Sequence, residues 1–412
     1  MFSTLSNTTV KTSKKAEILG ALGSITKCDV SVDTARSQRF ELLKHSQEIL
    51  SFHRVSNCLS KRIDKDKDIG VMFNPVRSTA QFSNLQRCGS LWACPVCANQ
   101  ISQKRKQEVG QAVNAHRKNG GDIVMLTLTT PHQYHDELSM TLDMQAMARK
   151  RFWQVTAIQN ILKSWGCIGH ITALEITHGA NGFHPHYHIL LFIRSGVDFQ
   201  KEKLFFYKKW AWACEKSGLG LPSEKHGLDL RDGSHADKYI TKWGLADEMT
   251  RSVVKVGKSK SNTPFDLLRL SKNGDENARY LFMLYIAGTK GKRQLMWSRG
   301  LKSLFNIDDV TDDVIVNETE KVSEEVATLP PLVYYLLVRE GARSQYLDLI
   351  ESDCLEHTNH ASDFICAILE KEEKSILAGL EISKKSRADL QDKAQLNQSQ
   401  YFASQIYLGL VS

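Results

Sequence analysis

The chain has 412 residues, of which 42% are hydrophobic and 24% charged, with 8 prolines. Such a length and balance describe two or three folded domains with a buried interior, and exclude collagen-like and low-complexity classes. The longest apolar runs, 189–193 and 332–338, fall far short of the roughly 20 residues that a bilayer requires, so no membrane span is expected.

The opening MFSTLSNTTVKTSKK lacks a continuous apolar stretch, which reads as no secretory signal and a cytoplasmic location. The 9 cysteines, an odd number, are then expected to be reduced thiols or metal ligands. The net charge of +8 conceals a segregation: from Asp308 onward there are 9 Lys+Arg and 20 Asp+Glu, while residues 1–307 carry 45 and 26, net +19. A solubility surplus has no need of one block. The confinement of positive charge points to a polyanion, with nucleic acid the expected partner.

In chain order, residues 1–50 read as an N-terminal arm with a helix over 37–50. Residues 51–120 form a cysteine-rich segment followed by a basic helix, QISQKRKQEVGQAVNAHRK, closed by Asn119-Gly120-Gly121. The run DIVMLTLTTP reads as a buried strand stopped at Pro131. A helix is expected over 143–165, then strands over 169–178 and 186–194 joined as a hairpin, a helix over 201–217, and a helical stretch beginning at His235. Residues 253–264 read as a lysine-bearing loop and 277–305 as helical and basic. The acidic remainder, 308–412, reads as a helical region after Pro330-Pro331. No internal repeat is visible. The expected class is α+β, with an antiparallel-rich central sheet in 121–307 and helices on one side of it.

His184, His186 and His188 fall at alternate positions just ahead of the apolar run Ile189 to Ile193. Side chains alternate along a strand, so His186 and His188 share a face about 7 Å apart, which suits one metal ion. Centring the turn on Asn181-Gly182 sets Glu175 opposite His188 and Thr177 opposite His186. A carboxylate between Leu174 and Ile176 is costly to bury unless a cation compensates it. Glu175 is therefore the expected third ligand, or else a cross-strand hydrogen-bond partner. His184 competes with it, although Pro185 is expected to bend the strand and spoil the alternation. Two imidazoles and a carboxylate leave coordination positions open, as in catalytic sites.

The segment DKYITKW puts Tyr239 and Lys242 on one helix face, with Ile240 and Trp243 as a buried stripe. A phenol needs help to ionise, and an ammonium group beside it favours the phenolate. Among 11 tyrosines, most serve packing, so the motif alone is weak. Cys88, Cys94 and Cys97 carry a Cys-Pro-x-Cys knuckle that Cys58 could complete around a structural zinc ion, with His53 its rival. A redox pair is the other reading of Cys-x-x-Cys. The remaining cysteines, Cys28, Cys167, Cys214, Cys354 and Cys366, read as isolated packing residues.

LTLTTPH at 126–132, HPHYHILLFI at 184–193, DKYITKW at 237–243 and QLMWSRGLKSLF at 294–305 together resemble, in order and spacing, the Rep proteins of small rolling-circle plasmids in the HUH endonuclease superfamily. The likeness runs from about Cys58 to Asp313. It implies that 121–307 is a nuclease domain whose histidine pair, His186 and His188, holds Mg²⁺ or Mn²⁺. Tyr239 would nick one strand at the plasmid's double-strand origin, stay joined to the 5′ phosphate, and leave a 3′ hydroxyl for the host polymerase. A host helicase and single-stranded DNA are further implied partners. The cysteine segment resembles the family's zinc-knuckle-like stretch. Related initiators often carry a glutamate four residues before the tyrosine; here that position is His235, which could act as base in the terminating cleavage, with Asp237 or Asp232 as substitutes. A mobilisation relaxase, a non-cleaving DNA-binding regulator and a small-molecule zinc hydrolase using His184, His186 and His188 are the rival readings.

Overall fold

The structure, a computed structural model, describes residues 35–233, 261–317 and 323–386. In chain order the elements begin with α1 (Ala35–Ile49), β1 (Ile69–Asn74), β2 (Thr79–Phe82), α2 (Pro95–Lys118), β3 (Gly121–Thr129), α3 (Leu138–Trp153) and α4 (Thr156–Ser164). They continue with β4 (Gly169–Gly179), β5 (Gly182–Arg194), α5 (Lys203–Glu215), β6 (Leu228–Asp232), α6 (Pro264–Lys272) and α7 (Glu276–Gly288). After β7 (Leu295–Trp297), α8 (Leu301–Leu304) and α9 (Asp312–Asn317) come β8 (Glu324–Leu329), α10 (Pro331–Arg339), α11 (Arg343–Glu356) and α12 (His360–Ser386). The class is mixed α+β with antiparallel sheets, as expected. Among the described residues no helix is long and apolar enough to cross a membrane.

The central sheet has five strands in the order β6-β3-β5-β4-β7, every pair antiparallel. The unbroken apolar run in β5 follows from burial on both faces. Ile189, Leu191 and Ile193 enter the main core, whereas Leu190 and Phe192 enter a second one. The main core includes Phe152 of α3, Ile158 and Leu162 of α4, and Phe206 and Trp210 of α5. The second is roofed by Val109, Ala112 and Val113 of α2 and by Leu301 of α8. Helices therefore lie on both faces of the sheet, which corrects the one-sided expectation: the basic helix has an apolar stripe that needs a partner, and the second face supplies it.

The helix expected over 143–165 is two helices, because Val155 is extended at φ −69°, ψ 112°. Gln159 Nε2 donates to the Trp153 carbonyl at the break, at 2.7 Å. The stretch 277–305 is not wholly helical either, since β7 forms the sheet edge within it.

A second sheet has the order β2-β1-β8. The acidic region thus contributes a strand between α9 and α10, which corrects the expectation of a helical region. Tyr334 of α10 donates to the Leu59 carbonyl at 2.8 Å. Opposite charges meet across the same contact: Arg105 lies 2.8 Å from Asp312, and Arg36 2.6 Å from Asp348.

Candidate metal centres

Strand pairing decides which side chains share the triad's face. Glu175 faces His186, Ala173 faces His188 and Thr177 faces His184. The expected register is therefore off by two residues; the turn residues are Ala180 and Asn181, closed by Gly179 opposite Gly182. Gly182 has φ +86°, and a Cβ there would lie 2.9 Å from the Tyr134 Cα, so this glycine serves a close backbone approach rather than the turn's centre. A shift of two keeps each side chain on its face. The three expected ligands accordingly still converge, with their ligand atoms all within 4.8 Å of one another.

Glu175 Oε2 is 3.1 Å from His186 Nε2 and 3.0 Å from His188 Nε2. The side chains are 43%, 14% and 11% exposed for Glu175, His186 and His188, a pocketed but open arrangement. Burial alone would push the Glu175 carboxyl up; hydrogen bonds with the two imidazoles outweigh it and hold the group well below the usual carboxylate range. Burial holds His188 below its ordinary value, which favours neutral imidazole.

Thr127 Oγ1 lies 3.1 Å from His188 Nδ1. With an Nδ1–H donated to Thr127, the Nε2 lone pair turns toward the carboxylate, and a cation between the two removes their repulsion. The donor set thus fits a metal ion. Thr127 was missed as a positioning residue, although the alternation of Thr127 and Thr129 in the first strand motif carried the signal.

The site lies beyond the part of the second face that α2 covers. Leu190 and Phe192, on the same strand face as His186 and His188, are covered by α2, whereas the histidines lie beyond it. Pro185 does not break the strand: it pairs with Ile176, β3 has already ended alongside at Thr129 opposite His186, and Gln145 Nε2 donates to its carbonyl at 2.8 Å. His184 keeps to the triad's face but stacks on His132 at 4.5 Å and is not part of the converging group. Burial, then the neighbouring His186 and His132, holds it down at about 4. Tyr239, Lys242 and His235, with Ile240, Trp243 and Asp237, lie outside the described residues.

Cys58, Cys88, Cys94 and Cys97 form a second group, all buried. Sulfur–sulfur distances are 3.6 Å from Cys58 to both Cys94 and Cys97 and 3.7 Å from Cys88 to Cys97. These are far beyond a disulfide and close to the edge of about 3.8 Å that four thiolates around a tetrahedral zinc would define. The Cys97 N–H donates to Cys94 Sγ at 3.4 Å and the Ser90 N–H to Cys88 Sγ at 3.5 Å. His53, the rival of Cys58, is committed elsewhere, its Nδ1 accepting from the Val55 N–H at 3.1 Å. Hydrogen bonds from the other three thiols hold Cys97 well below the usual thiol range, while burial pushes Cys94 up. Four buried sulfurs cannot share more than one negative charge without a cation among them. Of the isolated cysteines, Cys214 is buried, Cys167 and Cys354 are half-buried, Cys366 is exposed, and Cys28 lies outside the described residues.

Comparison with known proteins bears on the whole arrangement. The chain is 25% identical over 302 residues to "Protein rep" of Streptomyces lividans, covering 56% of this chain and 66% of that protein. It is 28% identical over 162 residues to the "Neomycin resistance protein" of Streptomyces cyanogenus, covering 33% of this chain and 37% of the relative. It thus spans just under two thirds of one relative and little more than a third of the other. No solved structure matches. A family described as "Replication protein" matches residues 81–343, a span that takes in the histidine hairpin and three of the four clustered cysteines. The chain belongs to this replication protein family, the Rep group that its ordered motifs resemble.

Proposed function

We propose that the chain initiates rolling-circle replication of a plasmid by nicking one DNA strand at the double-strand origin. The observation that carries this is the meeting of two imidazole nitrogens and one carboxylate oxygen on the part of a sheet face that α2 does not cover. Three protein ligands beside solvent leave positions for a phosphodiester, and the nitrogen and oxygen donors suit Mg²⁺ or Mn²⁺. When bound, such an ion supplies Lewis-acid polarisation of a non-bridging phosphate oxygen.

The chain's own groups supply the rest. Glu175, His186 and His188 hold the ion, with His188 oriented by Thr127. Tyr239 attacks phosphorus as its phenolic proton passes to water; the bond to the 3′ oxygen breaks and that oxygen takes up a proton from water, giving a 5′-phosphotyrosine and a free 3′ hydroxyl. Lys242 offsets the growing charge, and His235 is the base for the terminating cleavage. The flanks of this segment support the reading: Gly233 lies against Ile123, Asn262 is bridged to His178, and the triad falls between those levels along the strands. Zinc at the four cysteines is the structural ion. Origin DNA and single-stranded DNA are the substrates, with host helicase and polymerase the expected partners.

The test uses supercoiled plasmid carrying the chain's own origin, with Mg²⁺ or Mn²⁺. Tyr239→Phe should bind the origin yet yield neither open circles nor a covalent protein–DNA adduct on a denaturing gel. His186→Ala with His188→Ala should cut at least about a thousandfold more slowly, the several kcal/mol a catalytic metal supplies. Undiminished nicking by Tyr239→Phe would overturn the proposal.

A further inference from the structure

Away from the triad, α1, the edge strand β2 and the exposed face of α2 border a groove of about 730 Å³. Asn99, Gln103 and Gln107 line it from α2, four residues apart, on a different face from the apolar stripe that roofs the sheet. Lys104 joins them, and Arg39, Arg77 and Arg87 come from the neighbouring elements. Among the described residues, no Asp or Glu lines it.

Among the described residues, three of these cations, Arg39, Arg87 and Lys104, have no anionic partner. Arg36 is already bound to Asp348 and Glu351, and its charge presses on Arg39. Arg39 makes no hydrogen bond or ion pair among the described residues, and burial followed by Arg36 pushes it down to about 10. Among the described residues Arg87 is held by neutral acceptors, Gln100 Oε1 at 3.0 Å and the Phe82 carbonyl at 3.2 Å. Lys104 is exposed and in no ion pair among the described residues.

We propose that this groove binds double-stranded DNA, with Arg39, Arg87 and Lys104 on backbone phosphates and the amides of Asn99, Gln103 and Gln107 at base edges. Phosphate contacts position a duplex, while side-chain amides are the groups that pair bidentately with adenine. A single-strand site would need exposed aromatic platforms; Phe40 and Phe82, the aromatics of the groove, are 9% and 3% exposed. The cysteine cluster fixes the groove, because Cys94 and Cys97 begin the helix that presents the amides and Arg87 adjoins Cys88. This inference rests on the reading that the chain acts on DNA, but not on the chemistry of the triad.

The test uses the full chain and short labelled duplexes. Arg39→Gln with Lys104→Gln removes two side chains that hold no ion pair, and should weaken binding of a random-sequence duplex about tenfold while flattening the log–log salt slope by about 1.8, two phosphates' worth. Cleavage of a single-stranded origin oligonucleotide should stay at the wild-type rate. Gln103→Ala with Gln107→Ala should leave random-duplex affinity intact but lose the preference for duplexes enriched from a random pool by the wild-type chain. Wild-type affinity and slope in the first variant would overturn the proposal, as would an equal loss of binding to a polyglutamate peptide. Should nicking fail in every variant while duplex binding behaves as stated, the nuclease reading falls and the groove stands.

Discussion

The four cysteines and the group of Glu175, His186 and His188 differ first in what surrounds them. All four cysteines are buried, with their sulfur atoms within 4.8 Å of one another. The triad supplies three ligand atoms from one hairpin and leaves Glu175 43% exposed. A closed shell has no room for substrate, whereas an open one keeps places for it, so under the proposed function the first group would serve architecture and the second chemistry. One helix touches both regions. The start of α2 carries Cys94 and Cys97, and its later residues roof the sheet face up to the edge of the triad.

The largest expected effect breaks the closed side. Cys97→Ser should lower bound zinc from about one per chain and destabilise the fold by several kcal/mol, since structural zinc binding is itself folding free energy. Metal analysis with thermal unfolding reads both, and an unchanged melting temperature would move the ion's role from structure to something else.

On the open side the cost falls on binding rather than folding. Glu175→Gln should weaken Mn²⁺ at least about tenfold with little change in stability, because the one anionic ligand is lost while its shape remains. Calorimetric titration returning wild-type affinity would shift the third ligand to His184.

The smallest effect is a pH slope. His184 stays neutral in the folded chain down to about 4. The unfolded chain takes up its proton near 6.5, so folding loses stability as pH falls from 6.5 toward 4. After discounting for partial exposure the loss is roughly 1 to 2 kcal/mol. His184→Gln should remove that part of the slope in urea unfolding measured at both ends of this window. A slope that persists would mean that other groups carry the acid sensitivity.

Much of the triad was legible before any fold was known, for a reason specific to strands. Faces repeat every two residues, so Glu175, His186 and His188 had to share one whatever even shift the register made. The register itself was misread because Gly182 looked like a turn glycine, when its backbone is pressed against Tyr134. Cys88, Cys94 and Cys97 announced a metal knuckle by spacing alone. Cys58, thirty residues upstream, and the exclusion of His53 needed the chain's path. Strands β1 and β2 were missed because each is short and lies in a segment that its cysteines dominate, and β8 because it pairs with β1 about 250 residues away along the chain.

Residue types and local periods, then, determined which side chains could hold a cation and that a basic block would seek a polyanion. Tertiary structure alone decided where α2 stops roofing the sheet, that the acidic region returns a strand to β1, and that Arg39 lines one groove with Lys104 and the amides of α2. The reason is physical: alternation and spacing act between neighbours in sequence, whereas exposure and charge pairing are set by whatever distant segment packs alongside.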